Sequence, residues 1–332
     1  MASSNRTLTA IAGIRVGHAE LAGAPSGCTV VLLDRAAAAG VDVRGGAPGT
    51  YGTDSLQPVN LVERIHGLFF SGGSAFGLDV AQGVRRYLSE REVGFDSGYE
   101  RIPIVCGAVI FDLGINRSGR YPDADLGYRA CLAAGVDPVA EGCVGAGLGA
   151  TVGKLHGLPQ AMKTGLGSVR IEGADGLMVA ALMVVNAFGD VLDPDSGRIV
   201  SGCRNSPTGR ELLGMERAIH GMNRLLGFPE GANTTIGVVA TNAALGKTQL
   251  TKVARMAHDG MARSICPAHT MYDGDTIFAL SCGDVTGVEV SVVGTLAARA
   301  TALAILRGAE QAGASHGLPA ATDLVRHSSE LP

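Results

Sequence analysis

The sequence predicts an α/β (α+β) fold of stacked β-sheets flanked by helices, and three observations predict it. Short runs rich in β-branched and aromatic residues recur along the chain, and helical patterns lie between them. The two kinds of segment do not alternate one for one, as a doubly wound parallel sheet would require. At 332 residues the chain is long for one domain. Folds of this class nevertheless often enclose one continuous core at that length, so a single domain over 1–332 is expected.

Strands are read at Thr29–Leu33, Gly67–Phe70, Ile104–Phe111, Met178–Val185, Thr235–Thr241, Thr276–Ser281 and Val288–Val293, with glycine or proline nearby. Ser74 opens a helical stretch to about Arg91, and Thr208 with Glu211 forms a capping-box pattern for a helix ending near Gly227. After Lys247, the residues Leu250, Val253, Ala254, Ala257 and Met261 share one helical face. The alanine-rich segment Thr295–Ala314 reads as a buried helix.

Composition narrows the function. A formal net charge of −4 without a basic block argues against a phosphate-facing surface, so a small-molecule or peptide substrate is expected, with no nucleic-acid partner. Seven cysteines, odd in number and widely spaced, read as reduced thiols. The first ten residues lack a signal-length apolar run, and no stretch reaches roughly 18 uninterrupted apolar residues, so a cytoplasmic chain with no membrane partner is expected.

Several motifs have both a chemical and a plain structural reading. Gly145-Ala-Gly147-Leu-Gly149-Ala150 satisfies a dinucleotide-binding pattern but lacks the strand and the acidic residue that should flank it, so close packing is favoured. Lys154 follows in an apolar, glycine-rich region where burial would lower its pKa or a carboxylate would pair with it; a surface position fits equally well. Ser71-Gly-Gly-Ser74 is better read as a helix-capping turn than as a serine elbow. His258 and His269 read as helix-surface and loop residues, and no histidine pattern suggests a metal. No cofactor is expected.

Asp273-Gly-Asp275 places two carboxylates on one face of an extended segment, able to hold an ammonium group or simply to form a turn. Asn233-Thr234 stands after a Pro- and Gly-containing loop, Phe228–Ala232, and at the head of a strand. That setting suits self-cleavage: the Thr234 hydroxyl attacks the Asn233 carbonyl, and hydrolysis of the ester frees an α-amine of pKa about 7.7–8.0. The dipeptide alone also fits a plain strand start.

Together these segments resemble the L-aminopeptidase/D-esterase (DmpA-like) family, which includes β-aminopeptidases and nylon-oligomer endohydrolase. The matching pieces are Ile14-Arg-Val-Gly-His18, Val43-Arg-Gly-Gly-Ala-Pro-Gly49, Ser71-Gly-Gly-Ser-Ala-Phe-Gly77, Ala150-Thr-Val-Gly-Lys154, Asn233-Thr-Thr-Ile236 and Asp273-Gly-Asp-Thr276, in order over nearly the whole chain. The resemblance implies an αββα sandwich, cleavage into 1–233 and 234–332, and a homo-oligomer of the cleaved pairs, commonly a tetramer. It implies Thr234 as nucleophile, Asn186 at the oxyanion site, and Lys154, Asp273 and Asp275 in support. Phe111 stands where related enzymes carry a tyrosine, so that substrate-binding position has no hydroxyl to donate. Acyl transfer of the ornithine acetyltransferase type and an uncleaved, non-catalytic binding protein are the alternative expectations.

Overall fold

The computed structural model describes residues 5–225 and 233–328. The helix end expected near Gly227 and the loop Phe228–Ala232 lie outside the described residues. Eight strands carry the architecture: β1 (Ile14–Glu20), β2 (Gly27–Val43), β3 (Arg64–Ser71), β4 (Val105–Val109), β5 (Leu166–Glu172), β6 (Met178–Asn186), β7 (Thr234–Ala243) and β8 (Thr276–Val285). The longer helices among the described residues flank them: α1 (Val80–Ser89), α2 (Ala124–Leu132), α3 (Lys247–Ser264) and α4 (Val290–Glu310).

The strands form two leaves that share β2. Its first half pairs with β1 and β3, and β4 lies parallel beside β3. Its second half pairs with β8, from which the second leaf runs through β7 and β6 to β5. The register against β3 shifts between Leu32 and Ala37, where the strand passes from one leaf to the other. In the second leaf β7 and β8 are parallel, so both begin at the same edge.

Period-two alternation assigns the layers. Val30 and Leu32 point with Phe69 toward Val84 of α1 and Leu126 of α2. The intervening Val31 and Leu33 face Leu182, Val238 and Phe278 across the space between the leaves. On the far side of the second leaf, Ala181, Met183 and Val239 pack under α3 and α4. The order helix, sheet, sheet, helix is the expected αββα sandwich, and its three apolar layers supply the burial that holds the fold.

Two glycines permit close backbone approaches. A Cβ at Gly260 of α3 would lie 1.9 Å from the Ala298 carbonyl oxygen of α4, so glycine permits that helix crossing. A Cβ at Gly147 would lie 2.5 Å from the Leu166 nitrogen, which gives the Gly145–Ala150 run its packing role.

Some expectations are corrected. Val288–Val293 is not a strand: helix α4 begins at Val290, because Val293, Ala297, Ala300 and Ala304 recur at helical spacing and are buried. Although α4 is long and apolar enough to cross a membrane, that face packs on the sheet. No helix starts at Thr208: the Glu211 carboxylate instead accepts from Asn205 Nδ2 at 2.9 Å, and the helical turn that follows among the described residues is Met215–Ile219. His258 is not on a helix surface but fully buried, on the same face as Leu250 and Ala254.

Candidate active site

Parallel pairing of β7 with β8 brings their first residues to one edge, and the segments that lead into them bridge at Asn233 and Asp273. On the other side of β7, Thr234 stands opposite Asn186, the last residue of β6. Sheet register alone therefore gathers Asn233, Thr234, Asn186, Asp273 and Asp275 from distant parts of the sequence. All five are buried.

Lys154 arrives just after Thr151 and Val152, which pair with Lys163 and Met162 outside the two leaves. Its backbone nitrogen donates to Phe188 O at 3.0 Å, just past the end of β6. Its ammonium donates to Asn186 Oδ1 at 2.8 Å and to Asn186 O at 2.9 Å. Asn186 Oδ1 also accepts from Thr151 N at 3.1 Å, while Nδ2 donates to the Phe111 carbonyl at 3.0 Å. Phe111 thus meets the site through its backbone, its half-buried ring carrying no polar group.

The two carboxylates diverge. Asp273 accepts from Phe188 N at 3.0 Å and from Thr270 Oγ1 at 2.5 Å. Asp275 accepts from Thr235 N at 2.8 Å, and its other oxygen accepts from His269 N at 2.9 Å and His269 Nδ1 at 2.8 Å. Of the two readings of the pair, the ammonium grip is not made to Lys154, which hydrogen-bonds Asn186 while Asp273 acts on it through space. At the strand head, Thr234 Oγ1 donates to the carbonyl oxygen of Asn233. The same oxygen accepts from Gly274 N at 3.0 Å.

Residues 6–323 match Peptidase family S58. The chain belongs to that family. An uncharacterized aminopeptidase of Mycobacterium bovis is 41% identical, the match covering 96% of this chain and 97% of that protein. The 6-aminohexanoate-oligomer endohydrolase of a Kocuria species is 31% identical over 88% of this chain and 79% of its own length. Among solved structures, an L-aminopeptidase D-Ala-esterase/amidase of Ochrobactrum anthropi, described as a variant of the Ntn hydrolase fold, superposes with a TM-score of 0.71 at 18% identity, covering 100% and 96% of the two chains. This S58 peptidase is accordingly a hydrolase of amide bonds with an Ntn-hydrolase-type sandwich.

Burial sets the electrostatics of the S58 site. It draws the Lys154 ammonium down to about 7, opposed by the charge of Asp273 and reinforced by that of Lys163. Asp273 is pushed above the usual carboxylate range, first by burial and then by the charge of Asp275, against its donors Thr270 and Phe188 N. Burial thus makes both Lys154 and Asp273 easier to neutralise than their solvent-exposed counterparts.

Sequence reasoning missed Lys163 and His269. Lys163 is fully buried, its ammonium donating to Leu148 O at 2.9 Å and Ala150 O at 2.8 Å, and burial lowers its pKa. Nothing in Ala161-Met-Lys-Thr-Gly165 distinguishes it from a surface lysine. His269 carried a weak signal, its position six residues before Asp275 in a turn-rich stretch.

Proposed function

We propose that the chain cleaves itself between Asn233 and Thr234, and that Thr234 then hydrolyses amides as an N-terminal nucleophile. The observation that carries this reading is the Asn233 carbonyl: Thr234 Oγ1 lies against it, and Gly274 N already donates to its oxygen at 3.0 Å. A donor fixed on the oxygen of a bond about to be attacked stabilises the negative charge of the tetrahedral intermediate.

In the first reaction the Thr234 oxygen bonds to the Asn233 carbonyl carbon and gives up its proton. The bond from that carbon to the Thr234 nitrogen breaks, and the nitrogen takes a proton as it leaves. Water then cleaves the ester, freeing the Asn233 carboxylate and the Thr234 hydroxyl and α-amine. In turnover the same oxygen attacks a substrate amide, the amine product departs with a proton, and water releases the acyl group. Lys154 is suited to receive and return protons, and Asn186 to orient Lys154 and the strand head.

Substrates of this reading are small peptides, amino-acid amides or ω-amino-acid oligomers, in keeping with the aminopeptidase and oligomer endohydrolase relatives. It includes assembly of cleaved pairs into a homo-oligomer, and a cytoplasmic location in keeping with seven free cysteines. Intact-mass spectrometry of freshly purified protein tests it. Fragments meeting between Asn233 and Thr234 are expected from the wild type and one full-length chain from Thr234→Ala; an active wild type that stays whole would overturn the reading.

A further inference from the structure

His269 is held in an unusual way. Its backbone sits in the left-handed region at φ 57°, a conformation uncommon for residues with a Cβ and found disproportionately at functional sites. The result is that its amide nitrogen and its ring Nδ1 both address one oxygen, Oδ2 of Asp275, at 2.9 and 2.8 Å. That oxygen accepts, so Nδ1 carries the proton. The opposite oxygen of the same carboxylate accepts the Thr235 amide at 2.8 Å, one peptide unit past Thr234. On its other side the His269 ring packs edge-on against the buried His258 ring, centroids 4.8 Å apart, and His258 Nε2 meets the Asp42 carbonyl at 3.1 Å. The ring is fixed from both sides.

We propose that His269 is a positioning residue for amide hydrolysis, holding Asp275 so that the Thr235 amide, and with it Thr234, keeps its place at the strand head. Among the described residues His269 reaches the reacting groups through Asp275. The inference rests on Thr234 being the nucleophile. Without the ring donor Asp275 keeps the His269 backbone N–H but loses a charge-assisted hydrogen bond, and its carboxylate is free to rotate away from Thr235 N. The amide left behind is buried, so the head of β7 relaxes.

The test compares His269→Ala, His269→Asn and Asp275→Asn with wild type in full-length protein. The readouts are kcat and KM on a small amino-acid amide, kcat being expressed per chain cleaved at Asn233, with a folded but uncleaved variant counted as fully inactive. His269→Ala is expected to lower kcat about 10- to 100-fold with KM little changed. His269→Asn should recover most of that loss, because its Nδ2 occupies the place of Nδ1 and asparagine tolerates the left-handed backbone. A structural role alone predicts no such recovery by a smaller side chain. In the Asp275→Asn background His269→Ala should cost little more, since both act through one contact. Unchanged kcat in His269→Ala overturns the inference, as does His269→Asn no better than Asp275→Asn, or losses that simply multiply in the double variant. Thr234→Ala separates the two claims: if it is inactive while His269→Ala keeps full kcat, only the positioning role falls, whereas an active Thr234→Ala removes the nucleophile reading itself.

Discussion

The heads of strands β7 and β8 and the middles of the same strands are equally buried and chemically opposite. In the middle, Val238 and Val239, and likewise Phe278 and Ala279, alternate between two apolar layers and make no demand for a polar partner. At the head, Asn233, Thr234, Thr235, Asp273 and Asp275 are just as inaccessible, with Lys154 and Asn186 beside them. Burying charge costs stability, and these groups offset it only in part through hydrogen bonds to amides and backbone. The middle of the leaf therefore holds the fold, and its head costs stability.

That contrast can be broken or sharpened by substitution. The largest effect is expected at the head: Thr234→Ala should abolish chain cleavage and lower amide hydrolysis about 10,000-fold or more, read by intact mass and an amidase assay, while the protein stays folded. In the middle, Phe278→Ala should cost about 3–5 kcal/mol of unfolding free energy in a denaturant titration, with little change in kcat per folded molecule. Its ring packs near Phe70 of the facing leaf, centroids 6.2 Å apart, so truncation leaves a cavity between the leaves.

Lys154→Met should reverse the pattern, lowering kcat/KM about 100-fold while leaving the thermal midpoint equal or higher. A pH series sharpens this further. The folded-state pKa of Lys154, about 7, lies below that of the unfolded chain, about 10.4, so the unfolded state binds the extra proton between those values. Lys154 therefore destabilises the fold fully below pH 7, and the penalty fades as pH rises toward about 10.4. The stability advantage of Lys154→Met over wild type should shrink between pH 7 and pH 9.5; an advantage that stays constant would mean Lys154 is not held near neutrality.

The apolar half of this contrast was legible in the sequence. Val238 and Phe278 stand in runs whose composition marks strands, and the face from Leu250 to Met261 marks α3. That same spacing includes His258, four residues after Ala254, so the buried position was available from the pattern and was obscured by the polarity of histidine. Val288–Val293 misled in the opposite direction, because β-branched side chains suggest a strand while the partners of α4 lie in other elements. The polar half was less legible. Thr234, Asp273 and Asp275 stood out beside strand heads, but their convergence depends on parallel pairing of β7 with β8, which no local pattern encodes. Lys163 had no local mark at all, since only the fold removes it from water.

Trapping the acyl intermediate tests the central claim most directly. Wild-type protein is mixed with an activated acyl ester, quenched in acid and examined by intact mass and fragment mapping. The fragment 234–332 is predicted to gain one acyl group, located on Thr234, with none on 1–233. An acyl group carried by another residue, or turnover by a chain with Asn233 and Thr234 still joined, would contradict the account.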